Sequence, residues 1–251
     1  MARVSKYLER LYSILFACVF SSAFAQEPLN ERFAREFAPF SKAAAEAAKE
    51  MEGTDLFLIA KEMDSAVPGR RGQVDDKRAA RLYEAACAFM EAFACNNLGL
   101  MYEQGRGVIQ EYARAADYYN QSCKGKDHRG CYNVGLMLLD GRGIEQDLLQ
   151  AATNFRLACD GGLTSGCNEL GVMLQNGIGL PQDERLAVAL FRAACDDGLA
   201  DGCGNLGFLV CQGRGVEQNQ HEGTLLMRRA CDSGEPNTQI HCERLSEKGL
   251  Q

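Results

Sequence analysis

The chain has 251 residues, 46% of them apolar, no tryptophan, and a formal charge of −7. An acidic chain offers no electrostatic footprint to phosphate backbones or to an anionic membrane face, which argues against nucleic acid and lipid surfaces as partners. Length alone would allow one or two globular domains, but the twelve cysteines are too regularly placed for that reading.

The N-terminus reads as an export signal. Arg3, Lys6 and Arg10 form a basic start, and the apolar run from Leu11 to Phe20 is too short to span a bilayer. Ala23-Phe24-Ala25 then places small residues one and three positions before a cut at Gln26. With Glu9 counted, the first 25 residues carry +2, which leaves −9 on the remainder. A competing reading takes Leu15-Phe16-Ala17-Cys18 as a lipoprotein box that would lipidate Cys18. No other segment approaches spanning length. The expected organisation is a signal peptide over 1–25, an N-terminal helical cap and degenerate repeat over 26–86, and a repeat array over 87–248. Within the cap, an alanine-rich helix from Glu31 to Met51 precedes a helix pair, Leu56 to Met63 and Lys77 to Ala86, separated by Gly69-Arg70-Arg71-Gly72.

From Cys87 the chain keeps a period. Cys87, Cys123, Cys159, Cys195 and Cys231 are 36 residues apart, and Cys95, Cys131, Cys167 and Cys203 each follow eight residues later. Cys242 arrives three residues late. Exported chains meet an oxidising compartment, so the pairs read as disulfides: Cys87–Cys95, Cys123–Cys131, Cys159–Cys167, Cys195–Cys203 and Cys231–Cys242. Zinc is the rival, but there is no C-x-x-C and only three histidines, so no metal and no cofactor are expected. Closing a loop of this size removes about 2.5 kcal/mol of unfolded-chain freedom. Cys211 is left over. Its column mates Glu103, Leu139 and Gln175 place it near a helix end, partly exposed, as a free thiol: an intermolecular link or a small apolar filler.

Each unit contains two short helices. The first runs from about Cys95 to Gln104 and stops at Gly105-Arg106-Gly107-Val108, a stop repeated at Gly141/Gly143, Gly177/Gly179 and Gly213/Gly215. The second begins near Glu111, Asp147, Asp183 and Asn219, three of the four being residues suited to helix starts, and ends at the next staple cysteine. Ala115/Tyr119/Ser122, Ala151/Phe155/Ala158 and Ala187/Phe191/Ala194 recur at helical spacing and mark a core stripe with an aromatic column. Gly99, Gly135, Gly171 and Gly207 sit in mid-helix, where glycine costs roughly 1 kcal/mol against alanine, and so predict close helix contact, glycine against the alanine column. A last helix is expected over His241 to Lys248. The predicted fold class is all-α, an αα-hairpin solenoid with one disulfide per repeat.

Leu98-Gly99, Gly105-Arg106-Gly107-Val108, Ala115-Ala116 and Tyr119 resemble the Sel-type helical repeat, a relative of the tetratricopeptide repeat. With the Cys-x7-Cys spacing added, the chain is similar to the secreted, cysteine-rich Sel-repeat proteins of Gram-negative bacteria, the Hcp type. That resemblance covers about residues 55 to 248 and implies a right-handed αα-superhelix with disulfide-locked hairpins. It also implies an adaptor for protein complexes or, for the Hcp type, a penicillin-binding protein with weak β-lactamase activity. Departures from the pattern are Ile178 in the G-R-G turn, the insertion before Cys242, and Ile59 where a first staple cysteine would stand.

Two functions follow. The first is a scaffold whose concave face, lined by the first helices, takes a protein or peptide. Its candidate columns are Asn97, Asn133, Glu169 and Asn205, then Leu100, Leu136, Val172 and Phe208, then Gln104, Asp140, Asn176 and Gln212 near the helix ends. The asparagines either bind an extended backbone or simply cap and solvate the helix start. The alternative is a hydrolase acting on a β-lactam or cell-wall peptide. No S-x-x-K or K-T-G occurs, and His128, His221 and His241 lie far apart in the array.

Overall fold

The computed structural model describes residues 53–64, 75–235 and 238–247. The expected signal peptide, the Cys18 box, the Glu31–Met51 helix and the Gly69–Gly72 turn lie outside them. Among the described residues the regular structure is helical, as eleven α-helices in chain order. They are α1 (Gly53–Met63), α2 (Asp76–Ala88), α3 (Ala92–Gln104), α4 (Tyr112–Lys124), α5 (His128–Asp140) and α6 (Leu148–Asp160). The remainder are α7 (Thr164–Asn176), α8 (Glu184–Asp196), α9 (Ala200–Gln212), α10 (Gln220–Asp232) and α11 (Gln239–Glu247). They form a solenoid of helix pairs, which divides into two compact units: one up to Ala94 with Arg106–Val108, the other Cys95–Gly105 and everything from Ile109 onward.

In the first unit α1 packs on α2. Leu56 and Ala60 bury against the stripe of Ala79, Leu82, Tyr83 and Ala86, and Asp75 caps α2 by accepting the Arg78 N–H at 3.0 Å. Asp64 is only 3% exposed and is stabilised there by the Tyr83 hydroxyl, which donates at 3.1 Å, and by an ion pair with Arg106.

The second unit repeats one joint. Asp147, Asp183 and Asn219 cap α6, α8 and α10 through side-chain oxygens that accept the N–H three residues on. Each first helix ends at a glycine with φ of 68°, at Gly141, Gly177 and Gly213, a conformation that disfavours any residue with a Cβ. A glutamine then ties the loop back. Gln110, Gln146, Gln182 and Gln218 donate through Nε2 to the carbonyls of Glu103, Leu139, Gln175 and Cys211 at 2.7–2.9 Å. That 36-residue glutamine column is plain in the sequence once the loop's need for a partner is recognised.

The mid-helix glycines do not face the alanine column. A Cβ on Gly99, Gly135 or Gly171 would come within 2.6–2.7 Å of the rings of Tyr119, Phe155 and Phe191. The aromatic column is therefore core, fully buried, and each ring occupies the space its glycine leaves empty. Only Gly207 differs: Met227 stands in the aromatic column, and a Cβ on Gly207 would lie 2.6 Å from the Gly223 carbonyl oxygen. Two glycines in opposed positions let α9 and α10 approach backbone to backbone.

Disulfides link Cys123–Cys131, Cys159–Cys167 and Cys195–Cys203 with Cα–Cα separations of 4.4–4.6 Å, and Cys231–Cys242 at 5.0 Å. Cys87 and Cys95 are both disulfide-bonded as well. Each of the four measured links joins the last turn of one helix to the first turn of the next. Cys211 is free but not partly exposed: it is 2% exposed, packed with Met227 and Leu245. Gly223 stands where Ala115, Ala151 and Ala187 stand in other repeats, and its missing Cβ accommodates the Cys211 sulfur. Burial removes that thiol from reach of another chain, which overturns the intermolecular reading and leaves the apolar filler.

At the C-terminal end His241 is 1% exposed, with Nδ1 unpartnered and Nε2 3.8 Å from Asp201 Oδ1. Its ring lies where a side chain on Gly204 would be, so an absent side chain on α9 is filled from α11. Burial, and then the charge of Arg244, lower its pKa from 6.5 to about 4. The folded state thus binds the proton less readily than the unfolded state. Stability is fully present above pH 6.5 and falls as pH drops toward 4, by up to about 3 kcal/mol. Urea unfolding at pH 7 and pH 4.5 should show this loss for wild type, and His241→Asn should flatten that part of the profile.

Candidate binding face on the first helices

Every member of the first two predicted columns is half-buried: Asn97 and Leu100 on α3, Asn133 and Leu136 on α5, Glu169 and Val172 on α7, Asn205 and Phe208 on α9. The asparagines do more than solvate a helix start. Asn133 Nδ2 donates to Asn96 Oδ1 at 2.8 Å, and Asn205 Nδ2 donates to Asn168 Oδ1 at 3.0 Å. Both acceptors are buried, at 2% and 5% exposure, so each bond satisfies a polar group that water does not reach. Successive first helices are thereby laced side by side. The donor lies in the predicted column and the acceptor one residue earlier in the previous repeat, an offset of 37 residues.

One rung of this ladder is different. Where the pattern would pair residue 169 with residue 132, the residues are glutamate and tyrosine. A carboxylate cannot donate, so the amide-to-amide bond of the neighbouring rungs has no counterpart here. Burial, and secondarily the charge of Asp201, hold Glu169 above the usual carboxylate range, against the lowering effect of Asn168. Tyr132 packs its ring on Phe155 with centroids 5.8 Å apart, and burial and the charges of Glu169 and Asp201 raise its pKa.

The face has defined ends and edges. Arg244 lies over the Phe208 ring with 4.1 Å between guanidinium carbon and ring centroid. Along the helix ends, Asp140 is paired with Arg142 at 3.1 Å, and Asn176 Nδ2 donates to the Val172 carbonyl at 2.9 Å. Arg142 also reaches Glu103 of the previous repeat at 2.8 Å, while Ile178 removes the equivalent arginine from the next turn. His128, His221 and His241 sit in separate repeats, and among the described residues no group of three His, Cys, Asp or Glu side chains could hold a metal ion. The β-lactam-hydrolase alternative finds no support in these arrangements.

The Sel1 repeat pattern matches residues 68–88, 92–127, 128–163, 164–199 and 200–235, more than half of the chain. The chain belongs to the Sel1 repeat family. In that phasing α3–α4, α5–α6, α7–α8 and α9–α10 are the repeats, and the disulfides from Cys123 to Cys203 each cross a repeat boundary. No curated protein sequence matches the chain. Among solved structures it is similar to c5321, a protective antigen present in uropathogenic Escherichia coli strains with an SLR fold, at 24% identity and a TM-score of 0.71. That match covers 89% of this chain and 45% of the other, so this chain spans under half of that relative. A Sel1 repeat protein from Oxalobacter formigenes is similar at 22% identity and a TM-score of 0.70, covering 87% and 86% of the two chains. Helicobacter pylori cysteine rich protein B is 30% identical over 51% of this chain and 92% of its own, with a TM-score of 0.42. The first two likenesses speak to the fold alone.

Glu169 carries a testable cost. Because its folded pKa is raised, ionisation opposes folding above the raised value and costs nothing where both states are protonated. Glu169→Gln should therefore raise the melting temperature at pH 7, and the gain should vanish as pH falls below the ordinary carboxylate range. Calorimetric scans of both proteins across that interval measure it.

Proposed function

We propose that this Sel1 repeat protein is an exported, disulfide-stapled scaffold that binds a protein or peptide segment across the face of α3, α5, α7 and α9. The observation that carries the reading is the asparagine ladder. It spends the Nδ2 donors of Asn133 and Asn205 on neighbouring repeats, while their Oδ1 acceptors take no hydrogen bond among the described residues. Beside them runs an apolar column, Leu100, Leu136 and Val172, half-buried and able to take side chains of a bound segment, closed at one end where Arg244 covers Phe208. Acceptors at repeat spacing with apolar sockets alongside suit an extended chain, which offers backbone N–H groups and side chains in alternation. Sel1 repeats generally mediate protein–protein interaction, which supports the same reading.

The face is tested by charge insertion. Leu136→Arg should weaken binding to short synthetic peptides on an array by about tenfold or more, since it blocks a socket at the centre of the surface. Leu149→Arg, on the exposed side of α6 where Leu149 is 60% accessible, should bind as wild type. Equal binding by both variants and wild type would remove the face from consideration.

Export is the second half of the proposal. It rests on the basic start, the apolar run to Phe20 and the Ala23-Phe24-Ala25 site, and on disulfides that persist only in an oxidising compartment. No helix of the described residues is long and apolar enough to cross a membrane. Expressed from its own start codon in a Gram-negative host, the protein should be recovered from the periplasm with Gln26 as its first residue by intact mass. A fatty-acylated species beginning at Cys18 would instead establish the lipoprotein route.

A further inference from the structure

The proposed face breaks its own pattern at one position, and the break is electrostatic. Residues 97, 133 and 205 are neutral asparagines, and residue 169 is a glutamate. The substitution is not compensated by its own chain. Arg129 is engaged with Asp127 at 3.0 Å, Arg142 with Glu103 and Asp140, and Arg244 with the Phe208 ring. Glu169 itself makes no ion pair among the described residues. Nor does the tyrosine opposite take the role of donor: Tyr132 turns its ring to Phe155 and gives Glu169 no hydrogen bond. Glutamate supplies no donor of the kind that residues 133 and 205 provide, and Tyr132 stands where their asparagine acceptors would be.

Hydrogen-bond polarity points the same way. Asn205 donates to the buried Asn168, and beside it Glu169 presents a half-buried carboxylate that can only accept and makes no ion pair among the described residues. The flanking Oδ1 atoms of Asn133 and Asn205 are likewise acceptors. A surface of acceptors with one anion at its centre fits a ligand made of donors with one cation. Val172 lies one turn along α7 from Glu169, and Leu136 holds the equivalent place on α5. Together they offer an apolar bed for the methylene stem of a long basic side chain whose charged end reaches the carboxylate.

We infer that the face selects an extended peptide segment bearing a lysine or arginine, and that Glu169 is the residue that receives its cationic side chain. This assignment rests on the first-helix face being the binding surface. The cation would restore the charge balance that burial denies Glu169, so binding should also draw its pKa back down. The preference weakens on acidification, because protonation removes the anion, and it does so at a higher pH than for an ordinary glutamate.

The test uses fluorescein-labelled synthetic peptides that bind the full chain on the array, each remade with its basic residue replaced by norleucine or glutamate. Fluorescence anisotropy at moderate salt should show the Lys and Arg forms binding about tenfold more tightly than the norleucine form. Glu169→Gln should abolish that difference, so that the Lys, Arg and norleucine forms bind this variant with equal affinity. This variant is expected to be at least as stable as wild type, so misfolding does not mimic the result. Binders with no basic preference, or a preference that survives Glu169→Gln, would overturn the assignment while the face stands. If instead no peptide binds wild type, the face reading fails and this assignment with it.

Discussion

A ring seated in a glycine sets the geometry from which the rest of this structure follows. The helices of the array are 13 residues long, near the lower limit at which an isolated helix persists in water, so each must be held by its neighbours. Tyr119, Phe155 and Phe191 reach across from the second helix of a pair into the space left by Gly99, Gly135 and Gly171 on the first. The contact fixes both the spacing and the axial register of the two helices, because a ring has one place to go. Glycine's helix penalty of about 1 kcal/mol is small beside the burial of an aromatic side chain. With register set at the centre of each pair, the cysteines at the next junction fall at Cα–Cα distances of 4.4–4.6 Å, within normal disulfide reach.

Much of this was legible because it is periodic. The cysteine spacing, the G-x-G stops and the capping residues Asp147, Asp183 and Asn219 each recur at 36 residues, and each has a local physical cause that a single sequence displays. What escaped has a different character. The ladder bonds join residues 37 apart through neutral side chains, which also occur at caps and on solvated faces, so type and spacing alone do not separate the roles. Facing helices were legible from Gly99, Gly135 and Gly171, but the partner was not. An alanine column and an aromatic column lie four residues apart on the same face, and only the coordinates show which one the glycine meets. Cys211 was misplaced for a related reason. Its column mates are polar or large, and the room it occupies is created by Gly223 in a different helix.

The same logic applies where α9 meets α11. Gly204 leaves out the side chain that Asn96, Tyr132 and Asn168 provide at that position, and His241 fills the space from α11. The three-residue insertion before Cys242 shifts α11 relative to the cysteine clock, and the staple still forms at 5.0 Å. A buried imidazole is suited to that place, being large, apolar when neutral, and required only once.

In a periodic scaffold the residues that repeat hold the stack, and the ones that depart from the period are where a specific task can be added without dismantling it. Ile178, Gly204 with His241, and Gly207 with Gly223 depart in ways that packing explains or that leave the stack intact. Glu169 departs in a way that packing opposes. Burial holds its carboxyl in an environment that disfavours ionisation, and no ion pair among the described residues offsets that. A residue that works against stability in the middle of an otherwise consistent surface is best explained by an interaction the free protein does not make. On this face, among acceptors and beside Leu136 and Val172, that interaction is with a positive charge brought by a ligand.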